Sequence, residues 1–429
     1  MTQTNAKTEI TLDIDRLAYG AYGIGRHEGK AVMIPHTAPG ETVSARIIES
    51  KERYSIGELT RLIHPSRFRQ IPPCPYVGHC GGCSWQHLRY DAQLKAKQQN
   101  VEDALRRIGK LDGFEMRPIM PSPDEWHYRR RVRLQADGQK NLGFYGAGSY
   151  HLIEIDDCLI AAEPLNELIA PLRRWIANLS TAVAQVEIIN GDKAGEIVVV
   201  LQATDILSAS DEEACENFLA SDNPLAGMII HSREGRRIWG RSSITVMLQN
   251  DLSLELDADV FTQVNAGSNR HMIESLLTLG NFHEHDGVLE LYAGAGNFTL
   301  PIARRVKDIV AVEGTHAAIT NAKLNAQRYK LENITWHCAA VPQAVAQLKR
   351  QRKKFSKIVL DPPRTGAKGI ETDLAALSAA TISYISCNPT TMARDLAALT
   401  KHGYKLRTVQ AVDFFPHSFH VETLAIMTR

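Results

Sequence analysis

Strands and helices alternate along the last part of the chain, and this alternation constrains the fold more than any other pattern. Apolar, strand-like runs separated by helix-like segments occur at Gly287–Tyr292, Ile309–Glu313, Lys357–Asp361 and Thr381–Ser386. Such alternation produces right-handed β–α–β units and therefore a doubly wound α/β sheet. Two further runs, Tyr404–Asp413 and Val421–Met427, lack a comparable helix between them. They predict an antiparallel hairpin at the sheet edge.

The 429 residues are too many for one ordinary domain, so several modules are expected. Short strands separated by glycines and turns from Thr8 to His64 predict a β-barrel of about five strands. Strand-like runs from Trp126 to Asp257, with one helix around Pro164–Leu179, predict an antiparallel α+β domain. The predicted modules are residues 1–64, the barrel; 65–89, a cysteine loop; 90–125, a helical segment that packs on the catalytic domain; 126–257, the central α+β domain; and 258–429, the doubly wound domain.

Composition and charge narrow the class of protein. The chain is 44% hydrophobic and 23% charged, and it has no apolar run long enough to span a bilayer. Its polar start, MTQTNAKTEI, has no signal-peptide core, which favours a cytoplasmic location, where cysteines are reduced or bind metal. A net charge of +1 argues against an indiscriminate nucleic-acid binder. The basic run Arg129–Arg133 beside Tyr128 is nevertheless interpreted as an RNA-contacting strand.

The tetrapeptide Ser386-Cys387-Asn388-Pro389 places a thiol between a predicted strand end and a predicted helix start. Open α/β sheets carry out their chemistry at this edge, and a helix N-terminus favours the thiolate. Cys387 is therefore a candidate nucleophile. The alternative is a small buried hydrophobic residue, which is what most free cysteines are.

A glycine-bearing turn, Tyr292-Ala293-Gly294-Ala295-Gly296-Asn297, follows the first of these strands and opens a helix. The next strand ends at Glu313, which is placed to accept hydrogen bonds from a ribose diol. The third glycine of a dinucleotide site is missing, so the pattern favours S-adenosylmethionine. Asp361, stiffened by two following prolines, ends the next strand on the same edge. One shared site at these strand ends is the simplest interpretation.

Four cysteines form a candidate metal site. Cys74, Cys80 and Cys83 lie in one turn-rich segment, and Cys158 is a distant fourth ligand. Four thiolates suit either a 4Fe-4S cluster or tetrahedral zinc. The spacing leaves these two alternatives open.

Taken together, the motifs resemble those of the RNA uracil-C5 methyltransferases, the family of the bacterial 23S ribosomal RNA and tRNA 5-methyluridine enzymes. The similar segments are Phe261-Thr262-Gln263-Val264-Asn265, the glycine turn, Asp361-Pro362-Pro363-Arg364, the Cys387 tetrapeptide and His420-Val421-Glu422-Thr423. The resemblance implies a Rossmann-like, S-adenosylmethionine-dependent methyltransferase domain with a seven-stranded sheet. It also implies that the barrel is a TRAM module, an OB-like RNA-binding domain.

The resemblance implies a role for individual residues. Cys387 would add to uracil C6 as the nucleophile, and Glu422 would remove the C5 proton after methyl transfer. The residues expected to line the cofactor site are Gln263, Tyr292, Asn297, Glu313 and Asp361. Asn265 and Arg364 are weaker candidates for holding the flipped base or a phosphate. Ala293 and Ala340 depart from residues that many relatives carry, and Ala340 puts one adenine contact in doubt.

The resemblance also bears on the cofactor and the substrate. It favours a 4Fe-4S cluster on Cys74, Cys80, Cys83 and Cys158, with a structural role, and the combination of cluster and TRAM module points to 23S rRNA. A tRNA substrate, a catalytically silent RNA-binding protein and a redox iron-sulfur enzyme are the alternatives. Neither a membrane nor an obligate protein partner is implied.

Overall fold

A computed structural model describes residues 9–429, so residues 1–8 of the predicted barrel module and most of the polar start lie outside the described residues. The described chain contains a closed five-stranded barrel, a seven-stranded sheet, a two-stranded ribbon and an eight-stranded sheet. In this part of the chain, no helix is long and apolar enough to cross a membrane.

The N-terminal barrel has the predicted five strands. They are β1 (Glu9–Leu17), β2 (Tyr22–His27), β3 (Lys30–Pro35), β4 (Thr42–Ser50) and β5 (Tyr54–His64), and they close in the order β1-β2-β3-β5-β4. Alternate residues of β1 point inward, and Ile10, Leu12 and Ile14 fill the barrel with Val32 and Ile34. The predicted OB-like fold is thus confirmed.

The segment after the barrel contains an element that the sequence did not predict. No strand or helix lies within residues 65–89, and α1 (Tyr90–Asp103) follows, extended by one π-helical turn at Ala104–Ile108. Strand β6 (Glu115–Met120) then joins the edge of the C-terminal sheet, parallel to a strand near the chain's end. Residues 90–125 are therefore part helix and part strand. The strand belongs to the C-terminal sheet.

The central module is a seven-stranded sheet with two helices. Its strands are β7 (Arg131–Ala136), β8 (Leu142–Tyr145), β9 (Leu152–Glu154), β10 (Val183–Asn190), β11 (Ile197–Ala203), β12 (Gly227–Ser232) and β13 (Gly235–Gly240), in the order β13-β12-β11-β10-β7-β8-β9. Its helices are α2 (Glu163–Asn178) and α3 (Ala209–Ala220), of which the second was not predicted. The pairs are antiparallel except for β11 with β12, which are parallel.

A ribbon of β14 (Ser243–Gln249) and β15 (Leu252–Asp257) connects the central and C-terminal modules. Apolar side chains of the ribbon, such as Val246 and Leu254, share one buried cluster with Met272 and Ile273 of the C-terminal module. The same cluster includes Val198 of the central sheet. Packing therefore continues across the boundary predicted at residue 257.

The C-terminal module is a doubly wound sheet. Its strands are β16 (Gly287–Leu291), β17 (Asp308–Glu313), β18 (Ile334–Cys338), β19 (Lys357–Leu360), β20 (Thr381–Ser386), β21 (Lys405–Val412) and β22 (Glu422–Thr428). Its helices are α4 (Ala266–Leu279), α5 (Thr299–Ala303), α6 (His316–Arg328), α7 (Val341–Arg350), α8 (Glu371–Ala376) and α9 (Pro389–Thr400). The order is β18-β17-β16-β19-β20-β22-β21-β6, so β6 adds an eighth strand to the seven predicted. The last two C-terminal strands form the expected antiparallel pair, but not at the sheet edge, because β6 pairs with β21 on its outer side.

Two contacts join the barrel and helix α1 to the C-terminal module. Leu17 at the end of β1 packs with Trp85 and Leu88 in a small core that also contacts Phe419. Lys97 of α1 and Asp413 form an ion pair with a 2.7 Å Nζ–Oδ1 distance and no exposed side-chain surface. The modules are therefore packed together and not merely linked by the chain.

Candidate active site

The strand ends gather the predicted catalytic side chains at one edge of the C-terminal sheet. Strands β16, β17, β19 and β20 run parallel, so their carboxyl ends meet there. Strand β22 runs antiparallel to β20, and Ser386 pairs with Thr423. Cys387, just after β20, and Glu422, at the start of β22, therefore lie beside one another. We call this edge, with Tyr292, Glu313, Asp361, Cys387 and Glu422, the carboxyl edge.

A cavity of about 360 Å³ opens beside the carboxyl edge. Its lining includes all five residues predicted for the cofactor: Gln263, Tyr292, Asn297, Glu313 and Asp361. Part of the apolar wall comes from the β14–β15 ribbon and from the side chains that follow it. The structure thus brings these residues from four separate segments around one space, next to the nucleophile candidate.

The glycine turn has the backbone that close approach of a ligand requires. Tyr292, Gly294 and Gly296 have φ angles of 63°, 55° and 95°, in the left-handed region. A Cβ atom at Gly294 would contact nothing within 4 Å, which leaves the backbone open. Its N–H donates a 3.0 Å hydrogen bond to Oε2 of Glu313, whose Oε1 accepts one from the Thr315 N–H. The turn and the acid therefore fix each other.

Asn297 is held by a residue that the sequence analysis missed. Its amide pairs reciprocally with that of Asn269 on α4, through N–O distances of 2.8 and 3.0 Å. Asn269 is only 1% exposed. A buried asparagine on an otherwise apolar helix face is the signal that sequence reasoning could have used. Asn269 fixes which way Asn297 presents its remaining polar positions to the cavity.

Three carboxyl groups near the cavity have raised pKa values, chiefly because burial penalises their charged forms. Burial raises the pKa of Asp361 to about 7 and that of Glu422 well above its usual range, and the Asp361 charge raises the latter further. Glu290, inside β16 and missed by the sequence analysis, has a pKa raised to about 8 by burial and then by Asp361 and Glu313. The sequence signal for this buried group was an acid, Glu290, between the apolar strand residues Leu289 and Leu291.

Cys387 has the predicted position but not the predicted charge. Asn388 caps α9 by accepting a 3.0 Å hydrogen bond from Thr390, and Pro389 opens the helix as expected. Burial nevertheless raises the pKa of the Cys387 thiol to about 11, with Glu422 raising it further and Arg364 lowering it. Desolvation and the neighbouring acids thus favour the thiol, against the effect of the helix N-terminus.

The structure distinguishes Asn265 from Arg364, the two weaker candidates for a base or phosphate contact. Asn265 is 2% exposed and caps α4: its Oδ1 accepts from the Ser268 N–H, and its Nδ2 donates to Ser122 Oγ and the Phe414 carbonyl. Its side chain is therefore committed to the fold. Arg364 is exposed, and its charge acts on Cys387 and Glu422. Arg364 therefore remains the candidate for a base or phosphate contact.

The basic strand does not present the row of arginines that was expected to contact RNA. Arg130 pairs with Asp192, while Arg131 and Arg133 share Glu187. Arg130 and Arg131 have 5% and 14% of their side-chain surface exposed. The carboxylates that neutralise this strand are distant in sequence, so the interpretation of the run as a free basic surface is wrong for these two residues.

The four predicted metal ligands line a second cavity, of about 230 Å³, which we call the thiol pocket. Cys74, Cys80, Cys83 and Cys158 all contribute to its wall. The pairing of Cys80 with Gly146 holds the cysteine segment against the β8–β9 hairpin. Among residues 9–429, no group of three or more His, Cys, Asp or Glu side chains is arranged so that it could hold a metal ion. The structure therefore brings the four predicted ligands to one cavity, and the metal site stays a prediction.

The sheet order, the glycine turn and the acid at the next strand end together define an α/β domain of the methyltransferase type, joined to an N-terminal barrel. Comparisons with known proteins agree. The family model described as tRNA (Uracil-5-)-methyltransferase matches residues 89–429, and the TRAM domain model matches residues 3–60. The chain therefore belongs to the tRNA (uracil-5-)-methyltransferase family and is an RNA uracil-C5 methyltransferase by class.

Curated relatives match over nearly the whole chain. The 23S rRNA (uracil(1939)-C(5))-methyltransferase RlmD of Aliivibrio fischeri is 31% identical, with 98% of this chain and 96% of the relative covered. The protein of the same name from Shewanella amazonensis is 34% identical, with 97% and 95% covered. Among solved structures, the Pyrococcus abyssi tRNA (uracil-54, C5)-methyltransferase in complex with S-adenosyl-L-homocysteine aligns with a TM-score of 0.76 at 22% identity, covering 98% of this chain and 100% of the other. That structure supports the fold.

Proposed function

We propose that this enzyme methylates C5 of a uridine in folded RNA, with Cys387 as the nucleophile and Glu422 as the base. The observation that carries the proposal is the meeting of this thiol and this carboxyl on neighbouring strand ends, beside the cofactor-sized cavity. Asp361 belongs to the cavity wall and acts electrostatically on both groups, so it connects the two parts of the site.

The chemistry assigns one task to each group. Uracil C5 is a poor nucleophile, so the Cys387 thiolate first forms a bond to C6, and the displaced electron pair makes an enolate nucleophilic at C5. Bound S-adenosylmethionine supplies an electrophilic methyl group. The Glu422 carboxylate then accepts the C5 proton, and the released electrons restore the C5–C6 double bond and expel the thiolate. The uracil must be flipped out of the RNA to reach Cys387.

We propose that S-adenosylmethionine occupies the 360 Å³ cavity. The Glu313 carboxylate still has lone pairs for the ribose hydroxyls, beyond the two that accept backbone N–H groups. Asn297 and the open backbone at Gly294 face the same space, and Gln263, Tyr292 and Asp361 complete the wall. A sulfonium charge beside these acids would lower their pKa values and the pKa of Cys387, and so favour the ionised forms that the reaction needs.

We further propose 23S rRNA as the substrate and the cytoplasm as the location. Support comes from relatives that carry this activity in their names, with high coverage of both chains, and from the TRAM match. A tRNA substrate is the second candidate, because the description of the matching family and the Pyrococcus abyssi enzyme both name tRNA.

For the thiol pocket we propose a 4Fe-4S cluster held by Cys74, Cys80, Cys83 and Cys158. Tetrahedral zinc needs all four sulfurs about 2.3 Å from one ion, whereas a four-iron cluster takes its ligands from around a larger body. The four thiols line one 230 Å³ space, which supports a shared group rather than four unrelated cysteines. The cluster would tie the cysteine segment to the central sheet, and it has no electron-transfer task in the uracil chemistry.

The test uses the trapped intermediate. Purified Glu422→Gln, given S-adenosylmethionine and fragments of 23S rRNA or tRNA, should accumulate a covalent protein–RNA adduct on denaturing gels, because the C5 proton cannot be removed. The Glu422→Gln, Cys387→Ala double variant is the matched control and should form none. An adduct in the double variant would contradict the assignment of Cys387. RNA binding by the wild type without any methyl transfer would instead favour a silent RNA-binding protein.

A further inference from the structure

The turn between β1 and β2 of the barrel lies against the carboxyl edge. The Ala18 N–H donates a 2.9 Å hydrogen bond to the Tyr22 carbonyl and closes the turn, in which Gly20 has a φ of 144°. Tyr19, within this turn, is half-buried and packs against the main core of the C-terminal module. The barrel thus sends one side chain into the neighbourhood of the nucleophile.

Tyr19 contacts the nucleophile's own backbone. Its hydroxyl donates a 3.0 Å hydrogen bond to the carbonyl oxygen of Cys387. Burial, and then the Cys387 charge, raise the pKa of Tyr19 to about 12, so the phenol is a neutral donor. The other polar contacts of this segment come from its own module: the Asn388 N–H donates to Ser386 Oγ, and Asn388 Nδ2 donates to the Arg364 carbonyl. Tyr19 therefore adds an anchor from a different module.

The ring of Tyr19 also touches the segment that leads to Glu422. It meets Phe419 edge to face, with a 5.6 Å separation of ring centroids, and Phe419 lies 4.1 Å from the His420 ring. Glu422 begins the next strand. One tyrosine thus contacts both the nucleophile's segment and the segment before the base.

The position of the turn is itself fixed. Arg16 of β1 forms a 2.8 Å ion pair with Asp103 of α1, and Leu17 lies in the small core with Trp85 and Leu88. Both anchors precede Tyr19, by three and two residues. The Tyr19 hydroxyl is therefore positioned by a turn that packed residues hold in place, and not by a free loop.

We infer that Tyr19 is a positioning residue, through which the barrel holds the Cys387 segment in the geometry for attack on uracil C6. The inference rests on the proposed function and extends it, because it gives the barrel a part in the chemical step in addition to RNA binding. The removal of one hydrogen bond of ordinary strength corresponds to a rate change of about threefold to tenfold.

Tyr19→Phe keeps the ring and removes only the donor. We expect kcat for methyl transfer to fall about threefold to tenfold, with the KM for RNA within about twofold of wild type. The freed segment should also expose its thiol, so alkylation of Cys387 by iodoacetamide, followed by mass spectrometry of its peptide, should become faster by a similar factor. Tyr22→Phe, at the other end of the same turn, is the matched control and should change neither rate.

Two results would overturn the inference. If Tyr19→Phe matches wild type in kcat and in Cys387 alkylation while Tyr19→Leu is impaired, the ring matters only for packing. If Tyr19→Phe raises the KM for RNA alone, Tyr19 contacts the substrate. Alkylation needs neither RNA nor cofactor, so it tests Tyr19 even in a protein that transfers no methyl group. Absence of transfer by the wild type would refute the proposed function separately.

Discussion

The carboxyl edge and the thiol pocket both place functional candidates beside a cavity, but they are built differently. At the carboxyl edge, each side chain stands at the end of a strand in a hydrogen-bonded sheet. Three of the four pocket thiols come from residues 65–89, which contain no strand or helix. Regular structure therefore preorganises the first site, whereas the second depends on tertiary contacts and, in our proposal, on its cluster. The following changes test that difference.

The largest effect is expected from Cys387→Ala. Without the nucleophile, methyl transfer from labelled S-adenosylmethionine should fall on the order of 10⁴-fold or more. Because the sheet positions this residue, the thermal unfolding midpoint should move by no more than about 2 °C. Measurable turnover in this variant would remove Cys387 from the mechanism, and a large loss of stability would show that the carboxyl edge is not preorganised.

Cys83→Ala should have the opposite effect: a large loss of stability and a smaller loss of methyl transfer. The loss of one cluster ligand should release iron and sulfide, remove the visible absorption and lower the free energy of unfolding by roughly 4 kcal/mol or more. Cys215→Ala, a buried thiol on α3, is the control and should cost about 1 kcal/mol while the iron content is unchanged. A colourless wild-type protein with one zinc would contradict the cluster.

The pH should act on the carboxyl edge through its raised pKa values. Burial raises the pKa of Glu290 from 4.5 to about 8 and that of Asp361 from 3.8 to about 7. Between about pH 4 and 8 these two carboxyl groups bind more protons in the folded state than in the unfolded state, so their contribution to stability falls as pH rises. Glu290→Gln should remove the share of Glu290, on the order of 3 kcal/mol, from this decline in chemical denaturation between pH 5 and 8. An equal decline in the variant would contradict the assignment.

The smallest effect is expected from Asn269→Ala, which removes the amide partner of Asn297. The KM for S-adenosylmethionine should rise about tenfold, the equivalent of one or two hydrogen bonds, with a smaller change in kcat. Thr278→Ala, exposed on the same helix, is the control. If the KM and the calorimetric affinity for the cofactor are the same in both variants, Asn269 is not required to hold Asn297.

The features that sequence could predict are those set by local periodicity. Glu313, Asp361 and Cys387 were placed correctly because the alternation of strands and helices brings parallel strand ends to one edge. Glu422 followed only from the resemblance, since an acid in a strand is interpreted as exposed when taken alone, whereas β22 lies inside the sheet and Glu422 is buried. The family and the barrel with its TRAM match were confirmed by the comparisons.

What sequence could not predict depends on partners far away in the chain. The sequence around Arg131 does not indicate its ion pair with Glu187. The sequence around Tyr19 does not indicate the hydrogen bond from its hydroxyl to the Cys387 carbonyl. The charge of Cys387 was misjudged for the same reason, because burial beside Glu422 is a tertiary property. Local patterns specify which element a residue occupies, whereas pairing and desolvation arise only when the elements pack.

Strand β6 has a consequence for how the protein is made. It completes the edge of the catalytic sheet by pairing with β21, where Thr408 lies opposite Glu115, 293 residues further along the chain. During synthesis, β6 therefore leaves the ribosome long before β21. It stays unpaired while the whole central module emerges and folds. The catalytic sheet is consequently among the last parts to close, and the slow pairing of distant strands should limit its folding rate.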